Sequence, residues 1–444
     1  MTTVTTTTYA QARPDMSHFR QAMLSLFWFG SSAHWTAILI TTLPAQAYQI
    51  GGDAVKGQTL GTVLLIGAFV SMVVAPVFGA LSDRISLPFG RRRPWIVLGT
   101  VMNVLGLFGL AYFPRINDMS SLPLYILAFM WVEFWNNVAT APYSALIPDI
   151  VPIHQRGSAS GWYGLMNMLG SFVGGISPLL FTHNGQTDIV TIYYFVGAIL
   201  LFGMLGTVIF TQEPKVKLNP PPFDLGKFLR GLIEPLRDHD FRWVFWTRFL
   251  MVMGTFTVQE FLQFYMRDVV KDFTLFGNRV AENAEAAVGF FIPALLVGAI
   301  FSTVFLVIAG NRFGRKASVY VSSVLQAVVP AVFIFFHSFD LAVIMGLVFG
   351  LGYGAYQAVD WALASDVLPS ETDYAKDMGV WHVAFTFPQV IATPIAGFVL
   401  DNLQLYGKTP GVNQPTLGYT AIFILAVVYF VLGTVLVRRI RKVK

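Results

Sequence analysis

Phe89-Gly90-Arg91-Arg92 and Phe313-Gly314-Arg315-Lys316 are two copies of one short stretch, and each opens an apolar run long enough to cross a membrane. A second matched pair lies downstream of each copy. Ala145-Leu146-Ile147-Pro148-Asp149-Ile150-Val151-Pro152 ends the next apolar run in the first half, and Ala362-Leu363-Ala364-Ser365-Asp366-Val367-Leu368-Pro369 ends its counterpart in the second. Counting outward at roughly 20 apolar residues per spanning helix, the chain divides into twelve spans. Six lie near 20–45, 59–82, 94–113, 122–147, 158–181 and 188–211, and six near 241–266, 287–310, 316–337, 339–366, 376–400 and 417–437. The repeated stretches open the third and ninth spans and end the fourth and tenth. An internal repeat of six spans marks a membrane protein built from two related bundles, with its binding site between them near the bilayer midplane.

Composition agrees. Of 444 residues, 55% are hydrophobic and 12% charged, against about 25% charged in an ordinary soluble domain. Mean hydropathy is +0.62. So little charge cannot cover a water-facing surface, which excludes a soluble enzyme, a disordered chain and a nucleic-acid binder. The net charge of +5 lies in short loops between apolar runs. The absence of cysteine excludes disulfides, Fe–S clusters and thiolate metal sites. The scattered histidines lack the spacing of a metal site. Nor do the runs alternate as strands of a membrane barrel do. The predicted fold class is therefore an all-α membrane protein, twelve transmembrane helices in two pseudo-symmetric six-helix bundles.

The organisation predicted is a polar, Thr-rich tail over 1–19, a first bundle over 20–211, a linker over 212–240, a second bundle over 241–437 and a basic tail over 438–444. The N-terminal tail lacks the apolar core of a cleaved signal peptide. The linker holds Pro220-Pro221-Pro222 and many charges, with one amphipathic surface helix expected over 223–236. Most Lys and Arg fall on the side that carries both ends, including Arg84, Arg91 to Arg93, Arg156, Arg242, Arg312 and Arg438. By the positive-inside rule both termini are cytoplasmic. Arg248, just inside the seventh span, is expected to snorkel. The cysteine-free chain is expected in a bacterial inner membrane, as a monomer.

Gly79-Ala80-Leu81-Ser82-Asp83-Arg84, followed by Gly90-Arg91-Arg92-Arg93-Pro94-Trp95-Ile96, resembles the signature loop of the major facilitator superfamily. Ile85-Ser86-Leu87-Pro88-Phe89 lengthens it, as in the sucrose and glycoside proton symporters of that superfamily. Trp131-Val132-Glu133-Phe134-Trp135-Asn136-Asn137, then Ala141-Pro142-Tyr143-Ser144-Ala145-Leu146 and Asp149, resembles the fourth span of the same symporters. They carry an acidic residue three positions before an Asn-Asn pair. The likeness departs at Ser144, where the plant members carry a basic residue. The resemblance implies a proton-coupled symporter of a sugar or glycoside, working by alternating access and not as an enzyme. Two other readings stay open: a transporter of another small solute on the same fold, and an assembly factor that binds a pigment or a partner.

Asp83, Arg84, Arg91, Arg92 and Arg315 are expected to form a cytoplasmic latch. A carboxylate near helix N-termini is stabilised by the helix dipole, and arginines can bridge it to a neighbouring helix. Within the spans, three acidic residues stand out: Glu133, Glu260 and Asp360. Charge at mid-bilayer is costly, so each is a candidate for proton coupling, with Asp360 also a candidate gate. Glu260 is expected to face the cavity or to pair with Arg267. Glu133, Asn136 and Asn137 share a helix face at i, i+3, i+4. Candidate substrate contacts are Asn136, Asn137, His34, Trp35, Gln357, Trp361, Trp381, His382 and Gln389, because polar groups on apolar helices face protein or a water-filled cavity. No cofactor is expected, and no Gly-x-x-x-x-Gly-Lys-Ser/Thr loop for ATP is present. A transmembrane proton or sodium gradient would supply the energy. The expected partners are a small molecule, in first place a sugar, and the lipid bilayer.

Overall fold

A computed structural model describes residues 15–84, 89–213, 226, 234–309, 314–367 and 374–441. The expected surface helix over 223–236 falls mostly outside them, as do residues 1–14 and 442–444 of the two tails.

Apolar runs become helices because a chain in lipid must satisfy every backbone group internally. In chain order the helices are α1 (His18–Ala37), α2 (Leu43–Arg84), α3 (Arg93–Tyr112), α4 (Leu122–Ser144), the short α5 (Leu146–Ile150), α6 (Arg156–Leu180) and α7 (Ile189–Phe210). The second bundle holds α8 (His239–Gln259), the short α9 (Leu262–Tyr265), α10 (Ala284–Ala309), α11 (Arg315–Phe335), α12 (Phe339–Asp366), α13 (Tyr374–Gly407) and α14 (Leu417–Leu436). A π-helical turn, Ile38–Thr42, joins α1 to α2. Two small antiparallel hairpins, Thr182–His183 with Gln186–Thr187 and Thr274–Leu275 with Asn278–Arg279, lie between spans.

The continuous α2 hides a boundary. Gly52 has φ +61° and Val55 leaves helical geometry, so the chain turns back there. Its first turns finish the first span, and residues after Val55 form the second. With that break, twelve spans among the described residues cross between a terminal face, where the first and last described residues lie, and a distal face opposite. α13 runs seven residues past the predicted end of the eleventh span, to Gly407. The expected free tail is tied down at its end: the Met16 N–H donates to Gln155 Oε1 at 2.8 Å, and Ser17 caps α1.

Nine of these spans lie in stretches apolar enough to be recognised by length and composition; α4, α6 and α8 do not. Those three helices carry polar side chains into the centre of the molecule. The bundles meet along two seams, α2 against α13 and α6 against α10. In each seam the second span of one half packs on the fifth of the other, as a pseudo-two-fold arrangement requires. The α2–α13 seam is tight because Gly57 and Gly397 face each other. A Cβ on Gly57 would come 2.9 Å from the Gly397 carbonyl oxygen. Only small residues permit such an approach between membrane helices.

Candidate functional site

Between the bundles lies a cavity of about 530 Å³, inside the usual range of roughly 300–1,000 Å³ for small-molecule sites. The first bundle contributes Trp28, Ser31, Trp35, Glu133, Asn136 and Asn167 to its wall. The second contributes Gln259, Glu260, Tyr353, Tyr356, Gln357 and Gln389. Aromatic faces beside hydroxyls, amides and carboxyls suit a solute with apolar C–H faces and polar edges.

Glu133 is the central residue of α4, about 16 Å from either end at 1.5 Å per residue. The Asn137 amide lies one turn on and donates to the Glu133 carbonyl at 2.8 Å and to its carboxylate at 3.2 Å. Ser71 of α2 donates to Asn137 Oδ1 at 3.0 Å. Asn137 is thus buried support for Glu133, whereas Asn136 reaches the cavity. The expected Glu133–Asn136–Asn137 face exists, divided into two lining residues and one holding residue.

Glu260 lies where α8 ends, faces the cavity and leaves Oε2 without a hydrogen-bond partner. Arg267 pairs instead with Glu285 and stacks on Tyr48, at 4.1 Å from the ring centre. Asp360 lies behind the cavity wall. It is ion-paired to Arg248 and accepts the Tyr356 hydroxyl at 3.1 Å. The Arg248 guanidinium also lies over the Trp381 ring, 3.5 Å from its centre. Arg248 therefore does not snorkel. It is 5% exposed and forms part of the interior of the second bundle. Its position near a span end pointed to the interface; its partner, 112 residues away, could not be read from local spacing.

Trp35, Gln357 and Gln389 line the cavity as expected. His34 does not: it is fully buried, with its ring edge-on to Trp35 at 5.0 Å between centres. Trp35 and its other neighbour, Thr36, take the cavity face of this helix, and His34 falls on the side packed inside the first bundle. Trp381 lies under Arg248 and off the cavity wall. The side chains of Trp361, His382 and Asp83 lie outside the described residues.

At the terminal face, Arg91 reaches Asp149 at 2.5 Å and Arg92 reaches it at 3.0 Å. Arg315 pairs with Asp366 in the second half. Asp149 and Asp366 are the acids of the repeated motif, so the same arginine–aspartate pairing occurs in both bundles. The carboxylate at the N-terminus of α3 is Glu213, which accepts the amides of Arg91, Arg92 and Arg93 at 2.6, 2.8 and 2.7 Å. Its place in the predicted linker concealed that role. Arg84 ends α2.

Among the described residues, several cross-bundle polar contacts lie at the distal face. Lys56 bonds Asp53 at 2.6 Å and pairs across the seam with Asp268, which also accepts the Tyr419 hydroxyl. Lys408 pairs with Asp53. Asp401 accepts the amides of Gly57 and Gln58 at 3.0 and 2.7 Å, capping the second span from the opposite bundle. At the turn between the first two spans, burial disfavours ionised Asp53, but hydrogen bonds from Lys408 and Lys56 outweigh it and hold its carboxyl down at about 2.

Residues 51–440 match the family described as MFS/sugar transport protein. The sucrose transport protein SUT1 of Oryza sativa subsp. japonica is 31% identical over 140 residues, 26% of this chain and 26% of that protein. The general alpha-glucoside permease of Schizosaccharomyces pombe is 23% identical over 240 residues, 51% of this chain and 42% of the permease. Solute carrier family 45 member 3 of Mus musculus is 31% identical over 182 residues, 38% of this chain and 31% of the carrier. The matches thus span 26% to 42% of these relatives' lengths. Among solved structures, a bacterial homologue of the human lysosomal transporter Spinster, inward-facing and unoccupied, has a TM-score of 0.70 at 14% identity, over 96% of this chain and 98% of that one. The nucleoside transporter NupG has a TM-score of 0.67 at 14% identity, over 96% and 100%. These structural likenesses establish the fold, an all-α pair of helical bundles. With its two six-span bundles and the cavity between them, the chain belongs to the MFS/sugar transport protein family.

Proposed function

We propose that this protein carries a sugar or glycoside across the membrane with a proton, by alternating access. The observation that carries the reading is the placement of Glu133: at mid-membrane, on the cavity wall between the bundles, held by the neutral Asn137 amide. Carrying an ionised carboxylate through an occluded stage is costly. The bundles therefore swing more readily when Glu133 is protonated, which ties solute movement to proton movement. Glu260, on the facing wall, is a second candidate for the same role. The names of the sucrose transport protein and the alpha-glucoside permease support a sugar as the solute. The carboxyls and amides set into the cavity wall favour a hydroxyl-rich solute over an apolar pigment.

With both termini cytoplasmic, the contacts of Lys56, Lys408 and Asp401 close the outer face, and release runs to the cytoplasm. Re-opening outward breaks these contacts.

The test is uptake by proteoliposomes containing the purified protein and a trapped pH indicator. Sucrose and a panel of α-glucosides, added outside, are expected to acidify the lumen. A protein that accumulates no sugar under an inward proton gradient would overturn the reading. Sugar uptake driven by sodium alone would keep the solute and replace the coupling ion.

A further inference from the structure

The ion pair of the second bundle does something other than carry a proton. Arg248 on α8 reaches Asp360 on α12 and stacks on Trp381 of α13, so one guanidinium ties three helices together. Asp360 is 1% exposed and stands behind Tyr356. Tyr356 lines the cavity and donates its hydroxyl hydrogen to Asp360 Oδ1 at 3.1 Å. A hydroxyl that has spent its hydrogen can only accept from other groups. Three positions earlier, on the same face of α12, Tyr353 accepts a hydrogen bond from the Gln357 amide at 3.0 Å. Its own hydrogen remains available to the cavity. The two phenols thus present opposite polarities side by side, an acceptor at Tyr356 and a donor at Tyr353, each fixed by its neighbour.

We propose that Arg248 and Asp360 are positioning residues, and that Tyr356 and Tyr353 together read two neighbouring hydroxyls of the solute, one as donor and the other as acceptor. The inference rests on the sugar reading and sharpens it to a solute that carries a diol. In it Asp360 takes no part in proton coupling; its charge is matched by Arg248 and directs the Tyr356 hydrogen away from the cavity. Removing the Tyr356 oxygen deletes the acceptor and leaves the ring.

The experiment compares the wild type, Tyr356→Phe, Tyr353→Phe and the double variant Arg248→Gln/Asp360→Asn in proteoliposomes. The double variant keeps the shape of the pair, leaves no unmatched charge and retains a carbonyl for Tyr356. Half-saturation, maximal rate and protons moved per sugar are read for each. Expected is a rise in half-saturation of about tenfold for each phenylalanine variant, the loss of roughly one hydrogen bond at 1.4 kcal/mol per tenfold, with maximal rate near wild type. The double variant is expected to keep the wild-type proton-to-sugar ratio, at a raised half-saturation. Unchanged half-saturation in both phenylalanine variants would overturn the role of the phenols. A double variant that exchanges sugar but no longer accumulates it would make Asp360 a coupling group and overturn its assignment as a positioning residue. A wild type that moves no sugar defeats the sugar reading itself, and this inference with it.

Discussion

Glu133 and Asp360 are both acids within spans, one in each bundle, on the fourth and tenth spans that the repeat makes equivalent. Their surroundings differ. Glu133 is held by the Asn137 amide and faces the cavity, whereas Asp360 is ion-paired to Arg248 and screened from the cavity by Tyr356. A carboxyl held by neutral donors can gain or lose a proton without leaving an opposite charge stranded. A carboxyl paired with a buried arginine does so at a cost, because the unmatched guanidinium then bears the penalty of burial. The comparison teaches that spans made equivalent by the repeat hold an acid in two different ways, by a neutral amide at Glu133 and by a buried ion pair at Asp360.

The largest expected effect tests that difference. Arg248→Ala leaves Asp360 buried without its partner, and loss of one member of a buried pair costs about 3–5 kcal/mol. Asn137→Ala removes only a neutral hydrogen bond, worth about 1 kcal/mol. Thermal unfolding of the two purified variants should therefore separate widely, Arg248→Ala being far the less stable. Equal losses would break the distinction between the two acids.

A smaller effect is expected at the α2–α13 seam, where both bundles must slide. Gly397→Leu cannot fit against the Gly57 carbonyl without pushing the helices apart. The chain has no cysteine, so Thr187→Cys and Asn283→Cys, whose side chains meet at 2.9 Å across the bundles at the distal face, can report its closure without removing its ion pairs. Cross-linking of that pair should fall several-fold when Gly397→Leu is added. Undiminished cross-linking would mean that the close helix approach is not needed for closure.

The smallest effect concerns pH. Asp53 is depressed to about 2, so its stabilising contribution is complete above its ordinary value and is lost only as pH falls through about 2. Across about pH 5 to 8 it stays ionised. Asp53→Asn should weaken distal closure without changing the shape of the pH–uptake curve, which belongs to the cavity acids. A displaced curve would place proton sensing at the distal face.

Much of the fold is legible in the residues. Long apolar runs bounded by charged loops locate the twelve spans, since lipid admits few alternatives to a helix, and the Phe-Gly-Arg repeat reveals the two halves. The boundaries that fail are instructive. The polar residues beyond Leu400 suggest a loop, yet α13 continues, and this hid Asp401 as the group that caps the second span from across the seam. The site is only partly legible. Glu133 stands out because an acid in the middle of an apolar run needs a reason. His34 stands out equally and lies off the cavity, because spacing within one helix does not say which face meets another bundle. Arg248 and Glu213 become meaningful only once distant segments come together, Arg248 with Asp360 and Glu213 with the first turn of α3.

The most direct test of the central claim is to separate exchange from accumulation in Glu133→Gln. Proteoliposomes loaded with sugar and given labelled sugar outside measure exchange, which needs the bundles to swing but no net proton transfer. The same vesicles, empty and under an inward proton gradient, measure accumulation. The account predicts that Glu133→Gln retains substantial exchange and loses accumulation together with sugar-driven acidification. Accumulation at the wild-type level by Glu133→Gln would contradict it.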